Sequence, residues 1–182
     1  LAREKGAPLV EIYEDMQALN RKIQEKDPKA TIVGPDRVHP QDPGMFYIAW
    51  RILLAQGLAG PVSEVEIDAA AGQAKKTENA ILSELEASAR GAAFTLLERG
   101  LPFPMHKPAE PILDWIPFHE TMNRQILRVT GLDAGEYEIW IDGQSVARAT
   151  AGELAEGVDL RQNERTPMYA QAQKVFATVE QR

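Results

Sequence analysis

The chain has 182 residues, 44% of them hydrophobic and 26% charged, with a formal net charge of -7 and no cysteine. This is enough mass for one large domain or two small ones with a substantial core. The acidic balance argues against nucleic acid or an anionic membrane as the main partner, and the missing thiols exclude disulfides, thiolate catalysis and cysteine-ligated zinc.

The chain opens as LAREKGAPLVEIY, without an initiator methionine or a signal-peptide pattern, and reads as though it begins inside a longer protein. No apolar run approaches the roughly 20 residues that span a bilayer. The compartment stays open: bacterial periplasm, secretion and cytoplasm all fit. GAPLVEIY is a turn-bounded apolar run and predicts a short buried strand centred on Leu9 to Ile12. An amphipathic helix follows from Glu14 to Lys26, with Met16, Leu19 and Ile23 on one stripe. The segment DPKATIVGPD breaks it, giving a strand–helix–return pattern of the α/β kind.

The next helix has clear punctuation, with Asp42 expected at the N-cap, Pro43 at the first helical position and Gly57 just past the end. Its body, MFYIAWRILLAQ, carries one charge, Arg51, so it is apolar nearly all round and needs cover on most sides. The preceding elements are too small for that, and a partner surface is expected over residues 43–56.

After a boundary expected between Gly57 and Ser63, the character changes. SEVEID alternates like a half-exposed strand, Thr77 to Arg90 predicts a helix with Ile81 and Leu85 inward, and Phe94 to Leu97 predicts a strand ended by a proline-rich loop. Ile112 to Ile116 fits helix or strand. EYEIWIDGQSVARA predicts a hairpin turning at Asp142-Gly143, with Tyr137, Ile139 and Ile141 on one face. Thr150 and Glu153 match a capping box, and Thr166-Pro167 predicts the start of a last helix running to about Val179.

Asp36 and His39 stand three apart on the loop before the apolar helix, bracketed by Pro35 and Pro40. A carboxylate that holds one ring proton fixes the imidazole tautomer and makes the other nitrogen an effective base. The bland reading is that Asp36 caps a turn and His39 is merely polar. With Asp42 expected as the helix cap, Asp36 has no evident structural task. His119 in HETMN lacks the second histidine of a zinc-protease motif, because Asn123 stands there, so no metal is expected. His106 reads as a loop histidine. Trp50, Trp115 and Trp140 read as core residues, with a sugar-stacking platform at Trp115 and Trp140 as the alternative.

The stretch PDRVHPQDPGMFYIAWRIL resembles the last conserved block of the SGNH (GDSL-type) hydrolases, in which a D-x-x-H pair precedes a proline, a glycine and an apolar helix with a central alanine. Asp36, His39, Pro40, Gly44 and Ala49 match that order, while Met45 departs from the family's frequent histidine. GAPLVEIYEDM resembles the preceding strand and helix, and the later sequence from Pro117 to Leu160 resembles the C-terminal extension of a bacterial branch.

The resemblance implies an α/β fold in which residues 1–58 form the C-terminal piece of an SGNH-type α/β/α sandwich, its last strand and flanking helices, and residues 59–182 form an α+β extension with a β-hairpin. It further implies a serine esterase with His39 as general base and Asp36 as its orienting carboxylate, acting on small or carbohydrate esters without cofactor or metal. The family's serine and oxyanion-hole blocks have no match, and Ser63, Ser83, Ser88 and Ser145 lack the tight small-residue turn of an exposed nucleophile. A missing N-terminal part would therefore supply them and cover helix 43–56, or a homodimer partner would cover it. The competing expectation is a non-catalytic interaction or carbohydrate-binding module.

Overall fold

The computed structural model describes residues 2–7 and 9–181, and the chain divides into two compact units, residues 1–59 with 105–119, and residues 60–104 with 120–182. The protein is a mixed α/β molecule with several sheets and helices.

The first unit is helical. Helix α1 (Tyr13–Lys26) buries Ile23, with Met16 and Leu19 half-buried on the same stripe. Helix α2 (Asp42–Ala55) begins one residue earlier than its punctuation predicts: Gln41 holds the extended N-cap position, and Asp42 and Pro43 lie inside the first turn. Gly57 ends it as expected. Its φ is +74°, and the N–H groups of Gly57 and Leu58 donate to the carbonyls of Leu54 and Leu53, the paired closure of a Schellman motif. The one basic residue on α2, Arg51, pairs with Asp15 of α1 at 2.5 Å and with the Tyr47 hydroxyl at 3.2 Å.

The strand expected at Leu9 to Ile12 is not formed; these residues are irregular chain, and Pro8 of the same run lies outside the described residues. A strand is stable only with a neighbour to complete its hydrogen bonds, and every sheet strand described belongs to the second unit. Part of the cover for α2 comes instead from downstream sequence. The 3₁₀ stretch Lys107–Asp114 buries Ala109 and Ile112, resolving the ambiguous segment, and the Phe118 ring meets Phe46 edge-on at 4.8 Å. Gly44, Tyr47 and Trp50 are buried, while Met45, Ala49, Ile52 and Leu53, spaced along one helical stripe, are exposed.

The second unit is mainly β. A four-stranded sheet runs in the order β2 (Gln73–Glu78), β1 (Ser63–Asp68), β5 (Gln125–Thr130), β8 (Val158–Asp159); β1 and β5 are parallel and the outer pairs antiparallel. Two hairpins, β3–β4 (Ala80–Ser88 with Gly91–Glu98) and β6–β7 (Glu136–Ile141 with Gln144–Thr150), complete the strands. Their inward residues meet in one apolar cluster with Val65 and Ile67 of β1, Val129 of β5 and Leu154 of α3 (Ala151–Glu156).

The helix expected over Thr77 to Arg90 is β-structure. One extra residue in β3 between Ser83 and Glu86, with Glu84 at φ +53°, forms a bulge opposite Ala93 and Thr95. The bulge lets Leu82 and Leu85 both turn toward the core, which mimics helical spacing in the sequence, whereas Ile81 is exposed. The β6–β7 hairpin turns at Asp142 and Gly143, both at positive φ, with Ile139 buried and Tyr137 and Ile141 packed against the cluster. Thr150 and Glu153 form the expected capping box, and Thr166 caps α4 (Pro167–Glu180).

Candidate functional site

Residues 33–40 form a small closed loop between α1 and α2. Val33 and Pro40 bridge its base, the Gly34 N–H donates to the His39 carbonyl at 2.6 Å, and the Arg37 N–H donates to the Gly34 carbonyl at 2.8 Å. Arg37 adopts φ +62°, a left-handed conformation that only a fully determined turn holds at a non-glycine residue. A Cβ at Gly34 would lie 3.1 Å from the His39 carbonyl oxygen, so the glycine permits the tight closure.

Asp36 uses both carboxylate oxygens. Oδ1 accepts from the backbone N–H groups of Val38 and His39 at 3.0 and 3.1 Å, an Asx turn, and Oδ2 lies 2.7 Å from Nδ1 of His39. The expectation that Asp36 lacks a structural task is thus corrected: one oxygen shapes the turn and the other meets the imidazole. The bond to His39, with the two backbone N–H groups, holds the Asp36 carboxyl below its ordinary value. An ionised carboxylate only accepts, so the proton between them sits on Nδ1 and the lone pair of the neutral ring on Nε2. The His39 side chain is 82% exposed, which leaves Nε2 at the surface as the nitrogen able to take a proton.

None of the four serines lies in this unit. The Ser63 hydroxyl is buried against the Glu98 carboxylate, and that of Ser145 is held by Glu138 at 2.6 Å. Ser83 and Ser88 are strand residues of β3. Among the described residues no three His, Asp or Glu side chains cluster as metal ligands. Asn123, which breaks the zinc motif begun at His119, is fully buried and clamps the Phe103 backbone, accepting from its N–H at 2.7 Å and donating to its carbonyl at 3.1 Å. His106 is the loop residue before the 3₁₀ stretch. Trp50 is buried as expected, the ammonium of Lys26 covers the half-buried Trp115 ring at 4.7 Å, and Trp140 is exposed, contrary to a core role.

No sequence pattern announced the polar cluster formed by Ser63 and Gln125 at the starts of β1 and β5 with Glu98 at the end of β4. Gln125 Nε2 donates to Glu98 at 2.9 Å, and the three positions are far apart in the chain.

No protein-family model matches the chain, and no curated protein is similar to it. Among solved structures, it is similar to a gut microbial diltiazem-metabolizing enzyme, with 35% sequence identity and a TM-score of 0.80 over 89% of this chain. The chain spans 39% of that enzyme's length, so its mixed α/β fold is shared with part of an enzyme that metabolizes a drug.

Proposed function

We propose that the chain is the Asp/His-bearing portion of an SGNH-type serine esterase that cleaves small or carbohydrate esters. The observation that carries this reading is the 2.7 Å contact between Asp36 Oδ2 and His39 Nδ1 on an otherwise exposed ring. The order Asp36, His39, Pro40, Gly44, Ala49 supports it, as does the likeness to part of a drug-metabolizing enzyme. Residues 1–58 would then belong to the hydrolase sandwich and the remainder to its extension.

In this mechanism Nε2 of His39 removes the proton of a serine hydroxyl as its oxygen attacks the ester carbonyl. The imidazolium returns that proton to the departing alkoxide, leaving an acyl-enzyme. His39 then deprotonates water as it adds to the acyl carbonyl, and the imidazolium returns that proton to the departing serine oxygen, which releases the acid and restores the neutral ring. Asp36 holds the tautomer and stabilises the imidazolium throughout. The serine and oxyanion donors come from polypeptide outside these 182 residues. That polypeptide, or a second copy, covers the exposed stripe of Met45, Ala49, Ile52 and Leu53.

The test is turnover of p-nitrophenyl acetate, and of diltiazem, by the intact protein. His39→Ala abolishes both. Full activity in that variant would remove His39 from the mechanism and favour a non-catalytic module.

A further inference from the structure

The outer face of the β6–β7 hairpin carries an arrangement that the esterase reading does not use and that stands independently of it. Trp140 is 59% exposed there, on the same side of β6 as Glu136 and Glu138 and opposite the core-facing Tyr137, Ile139 and Ile141. Its cross-strand partner is Ser145, so it lacks the aromatic cross-strand partner that often covers a tryptophan in a sheet.

A bulge falls directly beside it. Between Ile139 and Trp140 the register skips one residue of β7, Val146, which turns into the core. Bulges re-aim neighbouring side chains and recur beside binding sites. The surrounding groups are polar and already ordered. Glu138 accepts from the Ser145 hydroxyl at 2.6 Å and pairs with Arg148 at 3.4 Å, and the Ser145 bond, first among its contacts, holds its carboxyl below the ordinary value.

We infer that Trp140, Glu138, Ser145 and Arg148 form a binding platform for a neutral, polyhydroxylated ligand such as a glycan chain. A sugar ring offers a C–H face that stacks on an indole and equatorial hydroxyls that both donate and accept. Glu138 and Ser145 supply acceptors and Arg148 supplies donors around the ring's edge. A protein hot spot would need further apolar residues around the tryptophan, and here its neighbours on that face are Glu138, Ser145 and Arg148. Anionic ligands and nucleic acid meet Glu136 and Glu138 and a chain of net charge -7. The platform serves to hold a polymeric or glycosylated substrate, or to anchor the protein on one.

Titration of the whole chain with cellohexaose, xylohexaose and maltohexaose, read by the three tryptophan indole N–H resonances, tests this. At least one probe shifts the Trp140 signal saturably while those of Trp50 and Trp115 stay in place. Trp140→Ala weakens binding at least about tenfold, as loss of an aromatic anchor does, and Trp140→Phe recovers part of it. An unchanged spectrum on thermal and far-ultraviolet comparison shows that Trp140→Ala still folds. No saturable shift with any probe, equal affinity in Trp140→Ala, or a Trp140 shift that follows protein concentration alone would overturn the proposal, the last by showing self-association instead.

Discussion

A methyl group on Gly44 would stand 2.2 Å from the backbone carbonyl oxygen of Ile32 and 3.0 Å from Cβ of Pro40. The first turn of α2 therefore lies directly on the chain that enters the Asp36–His39 loop, and only glycine allows that approach. Gly44→Ala must push α2 away from residues 32–40, at an overpacking cost of about 1–3 kcal/mol. Thermal unfolding should show a lower midpoint. Hydrogen exchange should speed up at the Gly34 amide, which is bonded to His39. An unchanged midpoint with unchanged exchange would show that the loop does not depend on this contact.

Asp36→Asn separates the two tasks of that side chain. Its carbonyl oxygen can still accept from Val38 and His39, so the Asx turn survives. The amide N–H₂ then faces Nδ1 of His39, which reverses the tautomer and places the ring proton on Nε2. Long-range ¹H–¹⁵N spectra of the His39 ring should report this reversal in the chain as it stands. In the intact esterase, turnover should fall by roughly 10³–10⁴-fold, the loss expected for a wrong-tautomer base.

Acid should destabilise the fold before neutral or mildly alkaline pH does. The Asp36 carboxyl is lowered chiefly by His39. That of Glu64 is lowered chiefly by the hydrogen bond from Lys76 at 2.8 Å, then by the charges of Lys76, Arg124 and Arg128. A carboxyl lowered in the folded state contributes stability that is present above its unfolded pKa and lost as pH falls through the folded value. The melting temperature should thus hold between about pH 7 and 5 and decline below about pH 4. Glu64→Gln should flatten that decline while lowering the plateau. Lys76 is shifted the other way, upward by Glu64 and Glu78, so its contribution is full at neutral pH and fades only as alkaline pH passes its raised folded value.

Asn123→Ala should lower stability by about 2–4 kcal/mol, because it leaves the N–H and carbonyl of Phe103 without these buried partners and opens a cavity. Asn123→Asp should be nearly as harmful, since a carboxylate cannot donate to the Phe103 carbonyl. Denaturant titration of both variants checks this. A loss below about 0.5 kcal/mol, typical of surface sites, would show that the clamp is dispensable.

What the sequence determined by itself was local. The Asp142-Gly143 turn, the Thr150–Glu153 capping box, the Thr166 cap and the Gly57 stop rest on interactions within a few residues, and each is visible in the linear order. The Asp36–His39 contact belongs to the same class, because an Asx turn brings residues three apart together through bonds within the loop itself. Tertiary structure decided the remainder. Whether Leu9 to Ile12 form a strand depends on a neighbouring edge, and whether Leu82 and Leu85 share a helix face or a bulged strand depends on pairing with β4. That Phe118 packs on Phe46, or that Glu98 meets Gln125, follows from long-range burial, which no local preference encodes.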